Sequence, residues 1–141
     1  MSDAVFVDTN ILVYAHDEDA GVKRERALEA LRKLWSSGAG RLSVQVLQEF
    51  YVSVTRKLAT PVARSTALEV VNAYGVWMRT PTTAATVTRA ADIADLAQIS
   101  FWDALIVASA EEAGASLLYS EDLNAGQTIA GIKVVNPLAV G

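Results

Sequence analysis

The chain has 141 residues, with 16 acids against 12 lysines and arginines, a formal net charge of −4 and a hydrophobic fraction of 52%. A domain of this length buries about two-thirds of its unfolded surface and needs no covalent staple, and so apolar a composition excludes intrinsic disorder. There is no cysteine, which excludes disulfides, zinc–thiolate centres and thiol catalysis and fits a reducing, cytoplasmic compartment.

Residues 4–7 (AVFV) are a short apolar run of the buried-strand kind, stopping abruptly at Asp8, Thr9 and Asn10. Residues 11–15 continue as a short apolar helix or turn, and residues 16–19 are a polar loop in which His16 is decoration. Residues 22–35 place Val22, Leu28, Leu31, Leu34 and Trp35 among lysines and arginines, which predicts an amphipathic helix closed by the Ser/Gly segment 36–40. A brief strand is expected at residues 41–43 and a second long helix at residues 44–57. A third helix is expected at residues 62–74, entered through Pro61 at a first-turn position. Residues 76–78 read as a strand stopped by Thr80 and Pro81. Residues 83–98 and 101–113 read as helices, the second ended by Gly114. Residues 116–119 and 132–135 are the last apolar strands.

Short apolar strands alternating with helices predict an α/β fold, a three-layer α/β/α sandwich with a central parallel sheet, as one domain over residues 1–141. No apolar run reaches the ~18 residues of a membrane span, and no basic segment followed by an apolar one opens the chain. A cytoplasmic protein without a membrane partner is therefore expected. In such sheets ligands sit beyond the carboxyl ends of the strands, where Asp8 and Asp122 both fall.

Each acid also has a plain structural reading. Asp8 stands where a helix N-cap would stand, and Asn10 could serve the same purpose. Asp103 follows Ser100 by three residues, as in a capping box, though Glu or Gln is the usual partner. It also opens a helix, residues 104–108, that is apolar on every side and so buried. Glu49 lines up with Gln45, Ser53 and Arg56 at helical spacing, the pattern of a solvated stripe. Asp122 could cap a loop, with Glu121 and Asn124 beside it.

Taken together the segments resemble PIN-domain proteins and, within them, VapC-type toxins of toxin–antitoxin pairs. The resemblance is carried by Val7-Asp8-Thr9-Asn10-Ile11-Leu12-Val13-Tyr14, by Glu49, by Ser100-Phe101-Trp102-Asp103-Ala104-Leu105-Ile106 and by Leu118-Tyr119-Ser120-Glu121-Asp122-Leu123. It implies a metal-dependent endoribonuclease in which Asp8, Glu49, Asp103 and Asp122 form a carboxylate cluster around Mg²⁺ or Mn²⁺. Asp8 and Asp103 would be the most direct ligands. Glu49 and Asp122 would complete the cluster, and Thr9, Asn10 and Ser120 would fix carboxylate orientations. Glu121 remains an alternative to Asp122. Hard oxygen donors suit such ions, which keep several waters and bridge to phosphate. The resemblance further implies an RNA substrate, a cognate antitoxin protein and a homodimer.

Net negative charge alone argues against a nucleic-acid partner. Setting four acids aside for a metal leaves twelve acids against twelve bases, and a bound cation inverts the local field toward phosphate. The basic residues between Lys23 and Lys33, with Arg56 and Lys57, offer phosphate contacts or an ordinary wet helix face. Two rival readings share the small α/β frame. A phosphoacceptor receiver domain would pair two acids after the first strand, where this chain has Thr9 after Asp8. A PIN-like nuclease of RNA processing or of DNA would use the same metal chemistry without being a toxin.

Overall fold

Val5, Phe6 and Val7 carry no polar side-chain atom and are all buried, which a strand can achieve only if both faces of its sheet are covered, because successive side chains point to opposite sides. They belong to β1 (Ala4–Val7) in a computed structural model that describes residues 3–139. The five strands run in the order β2-β1-β3-β5-β4, with β2 (Gly40–Arg41), β3 (Ala115–Tyr119), β4 (Thr128–Ile129) and β5 (Ile132–Val135). β1 pairs in parallel with β2 and β3, and β3 in parallel with β5. The edge strand β4 is antiparallel to β5, so the expected parallel sheet carries one antiparallel edge.

The register aligns the carboxyl ends of the inner strands. Val7 lies opposite Tyr119, and Tyr119 opposite Val135. The pairing extends one residue further, as Asp8 N–H donates to Tyr119 O (2.9 Å) and Ser120 N–H to Val135 O (3.0 Å). Asp8 and Ser120 thus leave neighbouring strands side by side.

Six helices surround the sheet. α1 (Thr9–Ala15) packs on α2 (Val22–Ser37) and α3 (Val44–Arg56), and α4 (Arg64–Tyr74) packs on α3. α5 (Ala84–Ala97) lies against α6 (Phe101–Glu112), which contacts β3 and β5. All residues of α6 from Ala104 to Ala110 are buried, as its all-round apolar sequence requires. Among the described residues no single helix is long and apolar enough to cross a membrane.

Three expected elements differ. Residues 76–78 are not a strand. Gly75–Trp77 is a turn of 3₁₀ helix, and its apolar character comes from Trp77, buried against Trp35 and Tyr74 at ring-centroid distances of 4.6 and 4.9 Å. The strand expected at 41–43 shortens to Gly40–Arg41 because Ser43 already stands at the N-cap of α3. α4 starts at Arg64 rather than at residue 62, because Val62 N–H is committed to Val54 O at 2.8 Å. Pro61 therefore precedes the helix instead of entering it. β4 was not expected; as a two-residue strand it exists through its pairing with β5.

Candidate metal-binding active site

Asp8 is both a cap and a buried acid. Its Oδ1 accepts from Thr9 N–H at 2.7 Å, capping α1, and its Oδ2 accepts from the Ser120 hydroxyl at 2.8 Å. Only 5% of the residue is exposed. Burial raises its pKa from 3.8 to about 6 against the pull of the Ser120 and Thr9 hydrogen bonds, and the negative charges of Asp122 and Glu49 push in the same direction as burial. The charges of Asp122 and Glu49 therefore reach Asp8 beyond the ends of β1 and β3.

Glu49 projects from α3 toward the same place. The Thr9 hydroxyl donates to its Oε1 at 2.7 Å, so neighbouring residues of one turn, Asp8 and Thr9, tie the strand end to α3. Gln45, one turn earlier, is buried rather than part of a solvated stripe, with 7% exposed. Its Nε2 lies 3.4 Å from Glu49 Oε2 and 3.3 Å from the Trp102 carbonyl. Both neighbours are acceptors, which fixes the amide's orientation with nitrogen toward them. The same amide thereby ties α3 to the first turn of α6, where Asp103 stands. Sequence spacing pointed to Gln45 only as a polar residue, and the two acceptors it serves lie on different elements.

Asp103 N–H donates to Ser100 Oγ at 3.1 Å, so Ser100 caps α6. The reciprocal half of a capping box is missing, because no hydrogen bond of the Asp103 carboxylate is found among the described residues. The neighbouring acids 121 and 122 face different surroundings. Glu121 Oε2 pairs with Lys23 Nζ at 2.7 Å and its Oε1 accepts from the Tyr14 hydroxyl at 2.6 Å. Burial alone would raise the Glu121 pKa, but these two contacts hold its carboxyl below the ordinary range. Asp122 is exposed, with its N–H on Ser120 Oγ at 3.2 Å, and its charge acts on Asp8. Asn10 orients the turn rather than a carboxylate, its Oδ1 accepting from Glu121 N–H at 3.1 Å. His16 is the C-cap of α1, half-buried with its ring edge-on to Phe50 at 5.4 Å, and burial lowers its pKa. It is a packing residue, where the sequence suggested loop decoration.

Among the described residues no three acidic or histidine side chains close around a single point as a metal cage. The donor set fits a hydrated hard cation rather than a caged one: it is oxygen only, and Asp8 is a carboxylate pressed by two other negative charges. Mg²⁺ keeps several waters and takes one or two carboxylates directly. A groove of about 610 Å³ opens beside these acids, lined by Thr9, Glu49, Asp122, Val13, Ser53 and Lys57 among others.

Residues 5–128 match the PIN domain family. The chain belongs to the PIN-domain family. No curated protein matches it in sequence. Among solved structures the fold is similar to that of VapC20 from Mycobacterium tuberculosis, described as a sarcin–ricin loop cleaving toxin, with a TM-score of 0.61 and 21% identity over 84% of this chain and 90% of that one. At that identity the likeness is one of fold. Family membership, with the strand order and the single acid at the end of β1, displaces the receiver alternative.

Proposed function

We propose that the chain is a metal-dependent endoribonuclease and the toxin of a type II toxin–antitoxin pair, with Asp8, Glu49, Asp103 and Asp122 holding Mg²⁺ or Mn²⁺. The observation that carries this reading is the buried Asp8 carboxylate, pressed by Glu49 and Asp122 while the nearby Lys23 is turned to Glu121 instead. Like charges gathered at strand ends without a cation destabilise a fold, which is reasonable when the balancing charge arrives as an ion. When bound, such an ion supplies positive charge to a substrate phosphate and acidifies water at neutral pH.

The protein's own groups do the rest. Ser120 and the Thr9 amide hold the two oxygens of Asp8 in fixed directions, and the Thr9 hydroxyl and Gln45 amide do the same for Glu49. Such outer contacts preserve the geometry on which metal affinity depends. The Lys23–Glu121 pair balances the charge of the acid next to Asp122, which favours Asp122 over Glu121 as the fourth acid. Each fixed orientation limits the reorganisation needed when a phosphodiester arrives.

Purified protein, freed of any partner, is expected to cut single-stranded RNA with Mg²⁺ or Mn²⁺, to stop in EDTA, and to leave the matching DNA intact. Asp8→Asn and Asp103→Asn should each lower cleavage by about 100-fold or more, while Asp92→Asn and Asp95→Asn on α5 should change little. Cleavage that persists in EDTA and in Asp8→Asn would overturn the assignment.

A further inference from the structure

The basic residues of the chain are not equivalent once their partners are known. Lys23 is engaged by Glu121, and Lys33 stands 3.8 Å from Glu29 on its own helix. Arg26 donates to the Leu138 carbonyl at 2.9 Å, and Arg89 is held by both oxygens of Glu111. Lys57 is different. It is exposed and, like Arg24, Arg32, Arg56, Arg64, Arg79 and Lys133, makes no ion pair among the described residues, but among these it is the one that lines the same groove that begins at Glu49 and Asp122. The groove therefore has an acidic end on α3 and a cationic end at Lys57, the C-cap of that helix, with Ser53 between them. Eight residues separate Glu49 from Lys57, about 12 Å of helix rise. Val13 and Leu58 supply apolar wall along the same stretch. Asp17 also borders it, but its Oδ1 is turned to the backbone N–H of Asp19 at 3.0 Å.

We propose that this groove is a single-strand subsite in which Lys57 binds a phosphate of the RNA backbone a few nucleotides from the bond that is cut, with bases against Val13 and Leu58. The proposal deepens the nuclease reading and rests on it. Successive phosphates of one strand advance ~3.4 Å along a duplex axis, so a lysine whose backbone stands about 12 Å of helix rise from that of Glu49 is placed for a phosphate a few nucleotides from the scissile one. A polymer with an anion at every step can place one phosphate at the acid cluster, where a divalent cation receives it, and another at Lys57. An acidic peptide offers carboxylates that can also reach a cation, but it carries no phosphodiester for the acid cluster to cut.

The test separates binding from cutting. Binding of a short fluorescein-labelled single-stranded RNA to the protein with its four acids intact, in Ca²⁺ instead of Mg²⁺ and with the RNA checked for integrity on a gel, is measured by anisotropy over a range of salt, with and without Lys57→Ala. The expected result is an affinity weakened about fivefold at low salt and a log–log salt slope shallower by about 0.7, the value for one lost phosphate contact on a single strand. Lys57→Arg should restore both, and Lys33→Ala should change neither. In the otherwise wild-type protein Lys57→Ala should raise KM and leave kcat, because the contact lies away from the reacting bond. Shortening the RNA from one end should abolish the Lys57 effect at a defined length, and shortening from the other should not. An unchanged affinity and slope in Lys57→Ala, no binding of RNA by the protein in Ca²⁺, or displacement of RNA by an acidic peptide of equal charge at lower concentration would each overturn the subsite. RNA bound through Lys57 by a wild-type protein that never cuts it would sink the nuclease reading and leave the phosphate contact standing.

Discussion

Asp8 caps α1 and is also the most desolvated acid of the proposed site, and the two roles pull on stability in opposite directions. The cap and the Ser120 hydrogen bond favour the charged form, yet burial outweighs them and brings the pKa to about 6. Because the folded value lies above the unfolded 3.8, folding takes up a proton between those two values. Stability from this group is full below pH 3.8 and is lost as pH rises through 6. The loss is of order 3 kcal/mol at most. In EDTA, Asp8→Asn should therefore raise the Tm by a few degrees above pH 6, since Asn still offers an oxygen to the Thr9 amide, and should give no gain below pH 3.8. Adding Mg²⁺ should stabilise the wild type and not the variant. Thermal melts across pH would decide it: a variant less stable than wild type above pH 6 would mean that the hydrogen bonds, not the buried charge, dominate at Asp8.

At the scale of elements, β2 is held by a close approach that tolerates no side chain. A Cβ on Gly40 would lie 2.5 Å from Cε2 of the Trp77 indole, and that ring is already packed by Trp35 and Tyr74. Gly40→Ala should cost about 1–3 kcal/mol by overpacking, read as a Tm lowered by roughly 5 °C, and Trp77→Leu in the same chain should recover part of it. An unchanged Tm would show that the indole moves freely. The same contact explains what the sequence conceals here. The Val76, Trp77 and Met78 run looks like a strand because it is apolar, yet Trp77 alone is buried while Val76 and Met78 are exposed. Where local pattern governs, the sequence is legible: β1 and β5 are short, largely apolar runs, α2, α3 and α5 keep helical spacing, and α6 is apolar all round. Where a distant partner governs, it is not. β4 depends on β5, Gln45 is buried where it serves Glu49 and Trp102, and Glu121 is engaged by Tyr14 and Lys23, about a hundred residues earlier in the chain. The motif residues were legible individually; the bonds that orient them were not.

Across the whole molecule, several large apolar side chains remain outside the core. Leu96 and Trp102, near the junction of α5 and α6, are 80% and 64% exposed. Exposed side chains of this size cost little singly, but grouped they mark interaction surfaces. For the homodimer that the resemblance implies, Leu96 is the most exposed large apolar side chain among the described residues, and light scattering should give twice the mass of one chain. Leu96→Asp should shift that mass to one chain while leaving the far-UV CD unchanged. A wild-type monomer, or a dimer indifferent to Leu96→Asp, would remove this face from the assembly. An antitoxin, in the same proposal, would be recovered as a neighbour-encoded protein whose addition stops cleavage.

The bond from Ser120 to Asp8 spans 112 positions of the chain, and it sets the order in which the protein can mature during translation. Asp8, Thr9 and Glu49 leave the ribosome early, together with β2, but β3, whose Tyr119 accepts from the Asp8 amide, and the turn bearing Ser120 and Asp122 are made late. At ~5–20 residues per second this interval lasts roughly 5–20 s, during which Asp8 has neither its hydroxyl donor nor β3 beside it. A nascent chain thus carries the early acids without the completed site, and a protein proposed to cut RNA stays inert beside the ribosome and message that are producing it.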